Sequence, residues 1–321
     1  MNSRRLLRFA EDVVATIMDL RPTRATDAQA EAAKALATRL QVLAASNDLG
    51  EGSPFWQDTC RRLAELAAQN DPLFFMRWPP IRATMVHGAT LPIIADWWRL
   101  RRSPAWRGTW RNALRHPQYG HPPPFLPMLS TNAMAVEHAK HLATFHAHTG
   151  RAFHAAATII EFGGGYGSMC RMIHALGFRG TYIIFDLPPI LELQRYYLGL
   201  HGIDAGPGPA STVRLCATLD EVAGSLAARP QGPIAAISTW ALSEMPIDLR
   251  ARIEPFLRHP DVVQVLLAYQ AHFEGTDNFA WFSGLAERTA PHLRWDHIPE
   301  HAIDRDVATS PNNYLFGLRP S

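Results

Sequence analysis

Ile159-Ile160-Glu161-Phe162-Gly163-Gly164-Gly165-Tyr166-Gly167 is a short apolar run that enters four glycines. Met169, Met172, Ile173 and Leu176 follow at helical spacing, and Gly177 closes the run as a C-cap. The stretch therefore reads as strand, turn, helix. Glycines in such a turn let the backbone fold tightly and let a ligand approach the main chain. The dinucleotide pattern G-x-G-x-x-G fails here, because counting from Gly163 ends on Ser168 and counting from Gly165 ends on Cys170. E-x-G-x-G-x-G does match, through Glu161, Gly163, Gly165 and Gly167. Nineteen residues after Gly167, Asp186 ends the next apolar run. An acid at the tip of a second strand is placed to accept both ribose hydroxyls of a nucleoside.

Outward from this turn the chain divides into two patterns. Expected strands are Thr158–Phe162, Thr181–Phe185, Val213–Leu215, Ile234–Ser238, Val262–Tyr269, Leu293–Ile298 and Tyr314–Leu318. Helical stretches lie between the first five, which predicts an α/β fold with a Rossmann-like, doubly wound, mostly parallel sheet of seven strands. The last two strands have no helix between them, so an antiparallel, hairpin-like ending is expected. Before this half the periodicity is helical. Leu6 to Met18 is one amphipathic face, a second helix starts with Asp27 as N-cap, and a third follows Pro54 with Trp56, Leu63 and Leu66 inward. His121-Pro-Pro-Pro124 reads as a stiff linker. The expected division is residues 1–127 as a helical lid or dimerisation domain and 128–321 as the α/β domain.

Composition removes other classes. Of 321 residues, 47% are hydrophobic and 19% charged, enough for a packed core and too apolar for a disordered chain. No eighteen consecutive residues are apolar, and the uncharged stretch from His116 to Val136 contains five prolines, so no membrane span is expected. Glu11 and Asp12 interrupt what a secretory leader would need, and Cys60, Cys170 and Cys216 form no C-x-x-C pair. A cytoplasmic chain without a disulfide scaffold or structural zinc is the expectation. A net charge of +2 argues against nucleic acid as the partner of the whole molecule.

The order of turn and acid resembles the S-adenosylmethionine-dependent class I methyltransferases. More narrowly, Glu161-Phe-Gly-Gly-Gly-Tyr-Gly167, Phe185-Asp-Leu-Pro188 and Ser238-Thr-Trp-Ala-Leu-Ser-Glu244 resemble the sugar O-methyltransferases of bacteria. Thr239 stands where that family more often has Asn. The resemblance covers roughly residues 125 to 321, and Phe185-Asp-Leu-Pro188 is also similar to small-molecule O-methyltransferases of plant natural-product type. It implies S-adenosylmethionine as cofactor and a donor site of Glu161, Gly163, Gly165, Tyr166, Gly167, Asp186, Leu187, Ser238, Thr239 and Trp240. It also implies a methyl acceptor that is a hydroxyl of a sugar, nucleotide-sugar or glycosylated metabolite. Other acceptors (a phenol, a peptide, an RNA), or a binding protein without catalysis, remain open at this point.

In a doubly wound sheet the ligand lies beyond the carboxyl ends of the strands. O-methylation needs a hydroxyl oxygen aligned with the methyl carbon and gains from a base that takes the hydroxyl proton. Glu244 and His272 each follow a strand tip and are the catalytic candidates. The alternative for Glu244 is a cap on a helix near Pro246, and for His272 a plain loop position. After the next strand come Glu300 and His301. Histidines crowd His138 to His154, but H-E-x-x-H is absent and the spacing scatters them, so a polar, exposed or half-buried helix is expected and no metal site. Between Arg77 and Arg115, eight arginines and five tryptophans accompany a single acid, Asp96. Such a surface suits phosphate and ring stacking, or is merely the solvated side of amphipathic helices.

Overall fold

The computed structural model describes residues 26–298 and 313–320, with Val14 alone ahead of them. The expected first helix, Leu6 to Met18, and the pair Glu300 and His301 lie outside the described residues. Helix α1 (Asp27–Ser46) begins in a capping box: the Thr26 hydroxyl accepts from the Gln29 amide while Gln29 reaches back to the Thr26 N–H. Thr26 is thus the N-cap, and Asp27 is the first helical residue. Next come α2 (Pro54–Ala67), α3 (Pro79–Thr84), α4 (Leu91–Arg102), α5 (Arg111–Leu114) and α6 (Ala133–Thr149). The expected linker is buried over Pro122 to Phe125, so these prolines pack into the core and do not act as a free spacer.

The α/β half follows as β1 (Thr158–Phe162), α7 (Ser168–Ala175), β2 (Thr181–Phe185), α8 (Pro188–Leu200), β3 (Ala205–Gly206), β4 (Val213–Cys216), α9 (Leu219–Ala227) and β5 (Ile234–Thr239). It continues with α10 (Ala241–Glu244), α11 (Ile247–Leu257), β6 (Val262–Tyr269), β7 (His272–Phe273), β8 (Thr276–Asp277), α12 (Asn278–Thr289), β9 (Arg294–Ile298) and β10 (Asn313–Leu318). All seven expected strands are present. The sheet gains the two-residue edge strand β3 and has eight strands in the order β3-β4-β2-β1-β5-β6-β10-β9. Strand β10 is antiparallel to both neighbours and inserts between β6 and β9. The antiparallel ending is therefore one strand in from the edge. β7 and β8 form a separate hairpin.

Every residue of β1 and β2 is buried, as expected for strands covered on both faces. Alternate side chains feed two cores. Ile159, Ile184 and Ile237 join the face covered by the helical half, whereas Ile160, Ile183 and Ala236 join Val222, Ile253 and Leu285 on the other. Leu36, Leu63, Phe75 and Trp97 belong to the same cluster as Ile159 and Phe316, so the helices pack directly on one face of the α/β half. In the Arg77 to Arg115 segment Trp78, Trp97, Trp106 and Trp110 are buried, while the arginines other than Arg77 are exposed. That is the solvated-face arrangement. Helix α6 departs from expectation: Glu137, His138 and His141 are buried, and the His141 Nδ1 lies 2.7 Å from the Tyr314 hydroxyl.

Candidate active site

At the carboxyl ends of β1, β2 and β5 the chain forms a cleft. The turn after β1 forms its floor. Gly163, Gly165 and Gly167, the three glycines of E-x-G-x-G-x-G, all have positive φ (80°, 54° and 94°). A Cβ on Gly163 would lie 1.9 Å from the Ala241 Cβ, so glycine lets the turn abut the segment after β5. A Cβ on Gly165 would meet nothing nearer than the Met85 Cγ at 4.0 Å, and its position faces the open cleft.

Asp186, at the tip of β2, lines the cleft. Its Oδ2 accepts from Gly164 N and Gln194 Nε2, each at 2.8 Å, and its Oδ1 from Leu187 N at 2.8 Å. With the Gly165 N–H, which also acts on this carboxyl, these donors take up most of the about four acceptor sites a carboxylate offers, which leaves less than the two ribose hydroxyls expected from sequence would need. Burial pushes this carboxyl up to about 7 against those donors. Glu161 also lines the cleft and accepts from the Tyr182 hydroxyl at 2.8 Å. Burial, with a smaller contribution from Asp186, pushes it up to about 8 although the Tyr182 bond acts the other way.

Of the other expected donor residues, Tyr166, Leu187, Thr239 and Trp240 line the cleft, but Gly167 and Ser238 do not. Gly167 caps α7, and a Cβ there would press on Leu198 at 3.2 Å. Ser238 is a buried staple: its hydroxyl donates to the Phe162 carbonyl (2.8 Å) and accepts from Leu242 N (3.0 Å), tying β1 to α10. Both serve the packing of the site.

The helical half contributes residues that sequence reading missed: Glu51, Ser53, Trp56, Thr84, Met85, Met134 and His138. Ser53 Oγ and His138 Nδ1 are buried without a partner. Among the described residues lining the cleft are four carboxyl groups (Glu51, Glu161, Asp186, Glu244) and no lysine or arginine. His138 is held neutral, its pKa pushed down to about 3 by burial and by Arg171 and His87. The chamber therefore suits a cationic ligand with hydroxyls better than a polyphosphate.

A second cavity adjoins it and is lined by Phe55, His87, Asp96, Glu137, Gln270 and Phe273, among others. Trp56, Thr84, Trp240 and Glu244 line both. Trp240 has φ 68°, a strained value for a bulky side chain, and its N–H donates to the Ala268 carbonyl at 2.6 Å. Glu244 Oε2 accepts from Trp56 Nε1 (2.8 Å) and its Oε1 from Gln270 Nε2 (2.9 Å). Burial pushes its carboxyl up to about 7, opposed by those two donors and by Arg250, and reinforced by Glu274. This range suits a general base at neutral pH. Glu244 is the last residue of α10 and does not cap the helix after Pro246, where no side-chain cap bond forms. The two catalytic candidates are not brought together. His272 is exposed on β7 and lines neither cavity, although its neighbour Phe273 lines the second. Among the described residues no three His, Cys, Asp or Glu side chains could hold a metal ion.

No protein-family model matches the chain, and no curated protein does. Solved structures similar to it include the mitomycin 7-O-methyltransferase MmcR, with 15% identity over 99% of this chain and 100% of that one at a TM-score of 0.38. An O-methyltransferase family protein from Burkholderia thailandensis matches with 12% identity over 89% and 94% at a TM-score of 0.38. The 23S rRNA methyltransferase ErmE matches with 15% identity over 57% and 68% at a TM-score of 0.35. Likenesses of this size say nothing of substrate.

Proposed function

We propose that this chain is an S-adenosylmethionine-dependent O-methyltransferase whose acceptor is a hydroxyl of a sugar or glycosylated metabolite. The observation that carries the reading is the shared wall: Glu244, with its pKa near 7, stands between the acidic cleft at the glycine turn and the second cavity. When bound, the donor supplies an electrophilic methyl group on a sulfonium. Gly165 leaves room for it against the main chain, Asp186 accepts from a ribose hydroxyl, and Leu187 and Ile190 pack beside that acid. Asp186, and Glu161 once it gives up its proton, complement the cationic charge. Ser53 and His138 offer unpaired polar atoms to the remainder. Tyr166, Thr239 and Trp240 complete the donor side.

Glu244 would take the proton of the acceptor hydroxyl, and the donor, when bound, would supply the methyl group to that oxygen and leave as the neutral thioether. Positioning supplies much of the acceleration, because the sulfonium is already a good leaving group. Phe55, Trp56, Trp240 and Phe273 offer flat apolar faces, and Gln270, Glu137 and Asp96, the last held by Arg99 and Lys140, add polar groups to the same wall. That combination suits a ring with several hydroxyls. His272, exposed outside both cavities, is the weaker base candidate. The helices of residues 26–127 act as a lid over the α/β domain that starts at 128, since Trp56, Thr84 and His87 roof the strand tips.

Two measurements test this. Calorimetry with S-adenosylmethionine and S-adenosylhomocysteine should give saturable binding to the wild type; its absence removes the donor. Transfer of labelled methyl should then be followed to simple glycosides, nucleotide-sugars, phenols and RNA. Incorporation into phenols or RNA and not into any glycoside would overturn the sugar assignment while leaving the methyltransferase in place.

A further inference from the structure

Arg250, on α11, is 1% exposed, yet none of the ion pairs among the described residues includes it. A buried cation without a paired carboxylate is costly and calls for a reason. Its guanidinium is instead satisfied by oxygens around one short segment. Nε donates to the Met245 carbonyl at 2.7 Å and Nη2 to the Ser243 carbonyl at 2.6 Å. Nη1 donates to Asn278 Oδ1 at 2.6 Å, and the Cζ lies 5.3 Å from the Trp281 ring centroid. The two carbonyls belong to the residues on either side of Glu244. Helix α10 is a single four-residue turn and cannot hold its last side chain rigidly by itself.

We infer that Arg250 is the positioning residue of the base: its fork clamps the backbone on both sides of Glu244 and places a fixed positive charge behind that carboxyl. The inference rests on Glu244 being the base. A lysine ammonium cannot span the same two carbonyls and Asn278 in one plane, because only guanidinium has the planar fork. The charged and titratable groups around Glu244 are Arg250 from α11, Glu274 from the β7–β8 turn, Glu51, His138, Glu161 and Asp186 along the first cleft, and His87, Asp96 and Glu137 across the second cavity. Trp56 and Gln270 complete its surroundings as neutral donors. Arg250 is the cation in this set that acts on Glu244, so its removal should make the carboxylate harder to form.

The test uses the full chain with Glu carboxyl carbons labelled for NMR, the Glu244 resonance being assigned by its loss in Glu244→Gln. In Arg250→Gln the titration midpoint of Glu244 should rise by about one pH unit, the lower end of what an adjacent opposite charge contributes. In Arg250→Lys the midpoint should move less, but the indole N–H resonance of Trp56 should shift as its acceptor is displaced. With the best glycoside of the panel, Arg250→Lys should slow single-turnover methyl transfer more than tenfold. In a Glu244→Gln background the same change should cost less than twofold, because a residue that acts through Glu244 has nothing left to position. Donor affinity should stay within threefold throughout. A folded Arg250→Gln protein with an unmoved midpoint overturns the inference, as does an Arg250→Lys loss of equal size in both backgrounds. Should neither Arg250 variant fold, Asn278→Ala, which removes only the outer anchor, takes the same background comparison. Glu244→Gln without any loss of rate would instead remove the base assignment itself.

Discussion

Replacing Glu244 by Gln keeps the volume of the side chain and removes its ability to take a proton. If the carboxylate is the base, single-turnover methyl transfer should fall by roughly 10²–10⁴ while donor binding stays nearly unchanged. The wild-type rate should rise with pH and level off above a midpoint near 7, following ionisation of a carboxyl that burial has pushed up to about 7. The same shift makes a stability prediction of opposite sense. A carboxyl whose folded pKa is raised binds more protons in the fold than in the unfolded chain, so its ionisation withdraws stability as pH rises from about 4.5 through about 7. The full shift corresponds to about 3 kcal/mol at pH 8. Gln escapes that cost but has one acceptor oxygen for two donors, Trp56 Nε1 and Gln270 Nε2, so one bond worth about 1 kcal/mol is lost. The inactive variant should therefore be about 2 kcal/mol more stable than wild type at pH 8 and should lose that advantage at pH 5. Denaturant unfolding at both pH values, beside the rate profile, checks both halves. A folded variant with a rate within threefold of wild type, or one destabilised at pH 8, would refute the reasoning.

Asp186→Ala should weaken S-adenosylmethionine binding by about 1–3 kcal/mol, the range for hydrogen bonds to a charged group, and calorimetry on the folded variant would expose an error as unchanged affinity. Gly165→Val should abolish binding, since its side chain enters the cleft at a φ of 54° that β-branched residues avoid; retained binding would place the donor elsewhere. His272→Ala should leave methyl transfer within about threefold, because the side chain is exposed outside both cavities. A loss of a hundredfold or more there would move the base from Glu244 to the hairpin.

What the sequence determined by itself is whatever depends on neighbours along the chain. An apolar run too short for a helix, glycines where φ must turn positive, and an acid nineteen residues past Gly167 all belong to one strand–helix–strand unit. That is why β1, α7, β2 and the cleft-facing Asp186 were legible in advance, whereas the order of the strands across the sheet came from the tertiary structure. Local pattern could not say which way each motif residue points. Ser238 and Gly167 fit the motif as well as Thr239 and Gly165 do, yet they face the packing side, because strand register and the contact with Leu198 decide their direction. Periodicity marked Trp56 as an inward residue of its helix without naming what lay inside. Its partner is Glu244, 188 residues away, and only the packing of the helical half against the strand tips joins them. The raised pKa of Glu244 has the same origin. Helix faces encode burial through the hydrophobic effect, which is not directional, whereas a base poised near neutral pH needs particular donors and a particular cation around one carboxyl. Those came from α2, from the loop after β6 and from α11, and only the tertiary structure brought them together.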